Sequence, residues 1–265
     1  MSLTKVSKLI RWNLLSRLAL VFSLLVFTSM CYAKTYVAGT TPSSAPNAFL
    51  DTKTGNISGF MPEVAQKIAD ESGFDLEFKV MPFSALIQSV KSGKIDMIVA
   101  GMSPTEKRAK VVDFSNPVAG LGHTIFVRDD NKKKYTGPND FSGQVIGISA
   151  GTDYADYIRS LNVAKKINFY DGLAQMESDV RNGRISVGMS DDTILKYMDK
   201  NGQLKGMHVV ESYKQETPYD PIALAVKKGN TELLKKINSS IEGLRASGEL
   251  KKLQEKWGEG PVPTN

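Results

Sequence analysis

The stretch Lys91-Ser-Gly-Lys-Ile-Asp-Met-Ile-Val-Ala-Gly-Met-Ser-Pro-Thr-Glu-Lys-Arg108 decides how this chain is read. Ser92-Gly93 is a helix stop, and Ile95–Ala100 is a short apolar run of the kind that buried strands show. The run breaks at Gly101. Beyond it stand a hydroxyl at Ser103, a proline at position 104 that bars helix propagation backwards, and a guanidinium one turn further on at Arg108. A strand that ends here and feeds a helix carrying an arginine brings together free backbone groups, a hydroxyl and a bidentate donor. That set suits a small carboxylate.

Outward from this stretch, strands and helices alternate. Upstream, Tyr36–Gly39 reads as a strand, Asp51–Asn56 as a hairpin turn, and Val64, Ala65, Ile68 and Ala69 as one helix face stopped by Gly73. Leu76, Phe78 and Val80 alternate as a strand does, and Phe83–Val90 is helical. Downstream, strands are expected at Thr124–Val127, before Ser149, at Ile167–Tyr170, Ile185–Met189 and Ile222–Val226. Between and after them come a helix that Thr152 should N-cap, one carrying Leu173, Met176 and Val180, one opening at Asp191-Asp192, and a long stripe from Leu233 to Leu244. A last helix ends at Trp257. The alternation predicts an α/β fold with largely parallel sheets. Thr40-Thr41, Phe83, Gly101–Ser103, Gly151–Asp153 and Asp191 each follow the carboxyl end of a predicted strand, where open α/β sheets bind ligands.

Residues 1–33 belong to a leader rather than to the fold. Lys5, Lys8, Arg11 and Arg17 form a positive front, an apolar run covers Leu18–Phe27, and Cys31-Tyr-Ala33 ends in a small residue. This is the pattern of a secretory signal peptide, too short in its apolar run for a membrane span. Lipid attachment at Cys31 is not expected beside Met30. Four basic residues leave with the leader, so the formal charge of +6 falls to +2 and gives no reason to expect a nucleic-acid partner. The only cysteine leaves too, so no disulfide can hold the remainder. His123 and His208 stand far apart with no ligand spacing around them, and no phosphate loop or nucleophile elbow occurs. Neither a metal nor a cofactor is expected.

The opening stretch continues through Lys110-Val-Val-Asp-Phe-Ser-Asn-Pro117, and together they resemble the signature of the polar-amino-acid-binding receptors of ABC importers, which are periplasmic solute-binding proteins. The resemblance runs from about Tyr36 to Trp257. It implies a two-lobe α/β fold with a discontinuous first lobe (34–120 and 222–265), a second lobe (121–221), and a hinge near 119–122 and 217–221. It also implies a monomer that captures an amino acid or derivative between the lobes and delivers it to a membrane permease, with no catalysis.

By position, Arg108 would grip the ligand's α-carboxylate, Ser103 would help, and the carbonyl of Gly101, after Ala100, would accept from the α-ammonium. Gly151, Thr152 and Asp153 would offer helix-start N–H groups from the second lobe. Asp191 rather than Asp192 would pair with the ammonium, and the Phe83 ring would cover the ligand side chain. Ser149, Tyr154 and Ser190 are further candidates for the second lobe's wall.

Departures from the family pattern concern the side-chain pocket. Ser44 and Asn47 stand where aromatics are usual, Pro117-Val-Ala replaces Pro-Tyr-Tyr, and Thr41 stands where receptors for cationic side chains often carry an acid. These imply a wider, less aromatic and less acidic pocket, one not dedicated to arginine or lysine but suited to a polar, neutral or bulky derivatised amino acid such as an opine-like conjugate. Two other uses of the scaffold exist. A dehydratase for aromatic amino-acid precursors would need Asp153 or Asp191 as its acid. A sensory domain would need a second membrane segment or signalling module, which the chain to Asn265 does not show.

Overall fold

The computed structural model describes residues 33–217 and 219–263. The charged front of the leader, its apolar run and Cys31 lie outside the described residues. The first lobe opens with strand β1 (Thr35–Thr40) and a small antiparallel sheet of β2 (Ser43–Ser44), β3 (Ala48–Leu50) and β4 (Ile57–Ser58). Helix α1 (Phe60–Ser72), strand β5 (Asp75–Val80), helix α2 (Leu86–Lys91) and strand β6 (Met97–Met102) follow. A single turn of helix, α3 (Glu106–Ala109), carries Arg108 and leads to β7 (Val112–Phe114) and β8 (Ala119–Leu121).

The second lobe contains β9 (His123–Arg128), β10 (Val145–Ser149), α4 (Asp153–Leu161) and β11 (Lys166–Tyr170). It continues through α5 (Leu173–Arg181), β12 (Val187–Asp191), α6 (Asp192–Lys200) and β13 (Met207–Val209). Then β14 (Asp220–Lys227) re-enters the first sheet, and α7 (Thr231–Ala246) and α8 (Glu249–Trp257) complete the first lobe.

The two sheets are built alike. The first has the order β5-β1-β6-β14-β7, with β8 paired to the start of β14; the second has the order β11-β10-β12-β9-β13. In each, three neighbouring strands run parallel, joined by crossover helices: β5, β1 and β6 in one, β11, β10 and β12 in the other. The strand that comes from the other lobe, β14 or β9, runs antiparallel to them. The sheets are therefore mixed, half parallel and half antiparallel, because a strand entering from the opposite lobe arrives from the far end. The short edge strands β7, β8 and β13 carry too little alternation to be read from sequence.

Alternation in β6 explains how one strand builds two cores. Met97 and Val99 point to a layer that includes α1 and α7, while Ile98 and Ala100 point to a layer that includes α2. In the second sheet Ile125 and Val127 join Ile146, Ile148, Val187 and Met189 beneath α4, whereas Phe126 faces α5 and α6. Packing here is close enough to exclude a methyl group. A Cβ on Gly188 would stand 2.3 Å from ring atoms of the fully buried Phe126. Overpacking of this kind costs about 1–3 kcal/mol, and in a chain of this size each kcal/mol moves the melting midpoint by about 2–4 °C. Gly188→Ala should therefore melt several degrees below the wild type in a calorimetric scan. An unchanged midpoint would mean the second lobe is looser than described.

The lobes are joined side by side. Strand β8 pairs antiparallel with the first residues of β14, Ala119 opposite Ile222, Gly120 opposite Pro221 and Leu121 opposite Asp220. Both crossings between lobes thus form one short ribbon.

Candidate functional site

A cavity lies between the lobes at the carboxyl ends of the parallel strands. It measures about 70 Å³, and on such a measure one water needs about 10–15 Å³. That is room for one small solute of roughly amino-acid bulk. The first lobe contributes Thr41, Ser44, Phe83, Ala100, Gly101, Ser103 and Arg108 to its wall, and the second Thr152, Asp153 and Asp191. Gly151 alone of the expected residues is not in the wall; it stands just behind it as an acceptor for Arg108.

Arg108 is the pivot of the site. Its backbone N–H is capped by the Thr105 hydroxyl at 3.2 Å, which fixes the single turn of α3, and its side chain is only 7% exposed. Nη1 donates to the Ser103 carbonyl at 2.6 Å and Nη2 donates across the cleft to the Gly151 carbonyl at 2.9 Å. The guanidinium carbon lies 5.7 Å from the Phe83 ring centroid, a cation–π distance. Burial pulls its pKa down and Asp153 opposes this, but an arginine stays charged in any such setting. Two of its five N–H groups are engaged, so the fork retains donors for a carboxylate. Gly101 and Gly151 both adopt positive φ, 58° and 80°, turning the backbone at the two strand ends that face this guanidinium.

The second lobe meets it with a helix start. Thr152 sits at the N-cap of α4, yet its hydroxyl donates to the Ser149 carbonyl at 2.9 Å rather than capping the helix. The expectation of a side-chain cap is corrected, and the first N–H groups of α4 remain without one. That is the anion-binding end of a helix. Two more contacts bridge the lobes near the cavity: Ser84 Oγ donates to Asp171 at 2.7 Å and Lys107 pairs with Asp156 at 2.9 Å.

The neighbouring acids at the start of α6 have separate tasks. Asp191 ends β12 and lines the cavity, where burial and then the charge of Asp153 push it up to about 7. Asp192 points the other way. It accepts from the Gly122 N–H at 3.2 Å, from Lys196 at 2.7 Å and from the Tyr219 hydroxyl at 2.9 Å, tying α6 to both crossings. His123 stays a core residue, stacked on Tyr154 with ring centroids 4.9 Å apart and pushed down to about 4 by burial.

The wall also holds Asn47, Leu121, Ser149, Tyr154, Tyr170, Asp171, Leu173, Ser190 and Ile194. Ser149, Tyr154 and Ser190 carry the strand-end signal. Tyr170-Asp171 carries it too, at the end of β11, and reading that signal through would have found it. Leu173 and Ile194 look like core positions in sequence. Phe83, Tyr154 and Tyr170 line the pocket together with Asp153, Asp171 and Asp191.

Residues 36–260 match the family model described as bacterial extracellular solute-binding proteins, family 3. This chain belongs to that family. Among curated relatives of this solute-binding protein, the arginine-binding extracellular protein ArtP of Bacillus subtilis (strain 168) is 27% identical over 84% of the chain and 86% of the relative. The probable amino-acid-binding protein YxeM of the same organism is 30% identical over 83% of the chain and 82% of the relative. Among solved structures, an ancestral arginine-binding protein bound to arginine superposes with a TM-score of 0.77 at 32% identity, covering 85% of this solute-binding protein and 99% of the other.

Proposed function

We propose that this protein is the solute-capturing component of an ABC importer, working in the periplasm and handing an amino acid or close derivative to a membrane permease. The α-carboxylate sits on Arg108 and the bare N–H groups of α4; the α-ammonium sits on Asp191. The observation that carries this reading is that Arg108, on α3 of the first lobe, and Asp191, at the end of β12 in the second, line one solute-sized cavity. A ligand touching both lobes favours the closed arrangement by its differential affinity, and bending at the β8–β14 ribbon releases it. A thermal-shift panel of amino acids, opines and organic acids tests the proposal. A true ligand at 100 times its dissociation constant adds about 2.7 kcal/mol of stability, and a panel that shifts nothing would reject it.

Asp191 makes the binding pH-dependent. An unfolded aspartate titrates near 3.9, whereas burial and then Asp153 hold Asp191 up at about 7. Folded protein thus holds a proton that unfolded chain has lost, and this contribution to stability, present below about pH 4, disappears as pH rises through about 7. Asp220, at about 6, and Glu259, at about 8, act in the same direction; His123, held neutral by burial, acts oppositely between about 4 and its ordinary value. The unliganded protein should therefore melt higher at pH 5 than at pH 8. An ammonium needs Asp191 ionised, so affinity should run the other way, weakening by up to about tenfold per pH unit below 7. Titration calorimetry at pH 5 and pH 8 reads this, and equal affinities would remove Asp191 from the ammonium site.

A second reading draws on the same residue. An aspartic acid with a pKa near neutrality in a cleft is what a dehydratase would use as its acid. Product formation from prephenate or arogenate would establish that reading; saturable binding without turnover would exclude it.

A further inference from the structure

The two crossings between the lobes are tied down on either side of a single residue pair. On the first-lobe side, Arg245 Nη2 donates to the Pro117 carbonyl at 2.9 Å and Gln254 Nε2 donates to the Val118 carbonyl at 2.8 Å. The tail after α8 then lies along the ribbon as a third segment. Gly260 pairs antiparallel with Gly120, whose N–H donates to the Gly260 carbonyl at 3.2 Å. The approach is backbone on backbone. A Cβ on Gly260 would stand 2.7 Å from the Gly120 carbonyl oxygen, and one on Gly120 would stand 2.6 Å from that of Pro261. Glu259, 7% exposed, lies within reach of the charges of Asp191 and Asp192, so the tail comes close to the second lobe as well.

On the second-lobe side the start of α6 holds both crossings. The Asp192 N–H donates to the Gly122 carbonyl at 3.0 Å, and its carboxylate accepts from the Gly122 N–H and from the Tyr219 hydroxyl. One residue further on, the His123 N–H donates to Gln215 Oε1 at 2.6 Å. Gly120 is thus fastened to the first lobe, and Gly122 and Tyr219 to the second. Between these fastenings lies one pair, Leu121 opposite Asp220. Leu121 lines the cavity, and the Asp220 carboxyl group meets that of Asp153, which also lines it.

We propose that Leu121 and Asp220 form the pivot between the lobes, that the C-terminal tail and Asp192 are the clamps confining rotation to that pair, and that the tail is thereby a working part of ligand capture. This rests on the closure between lobes proposed above. Hinges work where a few residues absorb the backbone rotation. Clamped within one residue on each side, the ribbon offers a single axis. Every closure then brings Arg108 and Asp191 back to the same separation, so the site meets its ligand already aligned. The pivot also stands in the cavity wall, where a bound ligand touches the pair that must turn for its release. Freed of the tail, the first crossing would bend anywhere from Pro117 to Leu121. The lobes would spread over several arrangements, of which only one closes the site.

Spin labels at Lys79→Cys and Lys166→Cys, exposed positions on the edge strands β5 and β11, read the width of the cleft mouth. Just beyond these strands Ser84 and Asp171 meet across it. Pulsed-EPR distances are measured on the unliganded chain without residues 1–33, which removes Cys31. The distribution should be narrow. Gly260→Val, which drives a side chain into the Gly120 carbonyl, should broaden it, as should Tyr219→Phe, which frees the second crossing from Asp192. The dissociation constant for the tightest amino acid of the thermal-shift panel should rise in proportion to the share of molecules outside the original range, about twofold when half of them are. If Gly260→Val does not fold, truncation after Glu259 removes the same contact without overpacking. A distribution that stays narrow without the Gly260 contact would overturn the inference, and so would broadening with an unchanged dissociation constant. If no amino acid binds, the receptor reading falls, and the unliganded distances alone then decide for or against the clamps.

Discussion

Arg108→Ala is expected to raise the dissociation constant for the amino-acid ligand by about 30-fold to several thousandfold, the equivalent of the 2–5 kcal/mol lost when one partner of a buried charge pair is truncated. Among the described residues the guanidinium is the only cation in the cavity wall, on a residue 7% exposed and fixed from three directions by Ser103, Gly151 and Phe83. No neighbouring side chain can take over a bidentate carboxylate contact; Lys107, on the same turn, is occupied with Asp156. Unliganded stability should change far less, because the side chain fills no apolar layer and gives up only two hydrogen bonds to backbone carbonyls, a loss of about 1 kcal/mol each. Calorimetric titration and a melting scan on the same variant separate the two effects. A large fall in the unliganded midpoint with affinity intact would make Arg108 a structural strut.

Asp191→Asn should move binding and stability in opposite directions. Affinity for an α-ammonium ligand should fall by about 30-fold or more, since the amide offers no charge. The unliganded protein should become more stable at pH 8, because the wild type there keeps a buried carboxylate ionised against burial and against Asp153. A pKa of about 7 against 3.9 for the unfolded chain sets an upper bound of about 4 kcal/mol on that gain. At pH 5, where the folded wild type is protonated at this position and the unfolded chain is not, that bound falls to about 1.5 kcal/mol. A variant that loses stability and affinity together at both pH values would instead mark Asp191 as part of the lobe's architecture.

These expectations rest on features that differ in how far the sequence discloses them. The stretch around Gly101 and Arg108 is legible because an apolar strand, a glycine at positive φ and a Thr-capped turn leave their marks within a dozen or so residues. The strand-end rule also picked out Thr41, Phe83, Ser103, Thr152 and Asp153, all in the cavity wall, without any knowledge of how the lobes face each other. Direction is harder. Asp191 and Asp192 are adjacent acids at one strand–helix junction, and only the pleat of β12 sends one into the cavity and the other back to Gly122 and Tyr219. Long-range meetings are harder still: Asp220 finds Asp153 because β14 returns beside β8, a pairing no local pattern announces. The same return made the sheets mixed where alternation alone suggested parallel strands. Asn47 was visible as a departure from an aromatic pattern, yet its burial against Gly101 is a property of the packed loop.

The central claim is that a single solute is held by both lobes at once, carboxylate on Arg108 and ammonium on Asp191. A crystal structure with the tightest-binding amino acid from the thermal-shift panel tests it most directly. The expected result is one ligand inside the cavity, its carboxylate oxygens within about 3 Å of the Arg108 guanidinium and its ammonium within about 3 Å of Asp191. A ligand held by one lobe alone, or bound away from this cavity, would contradict it.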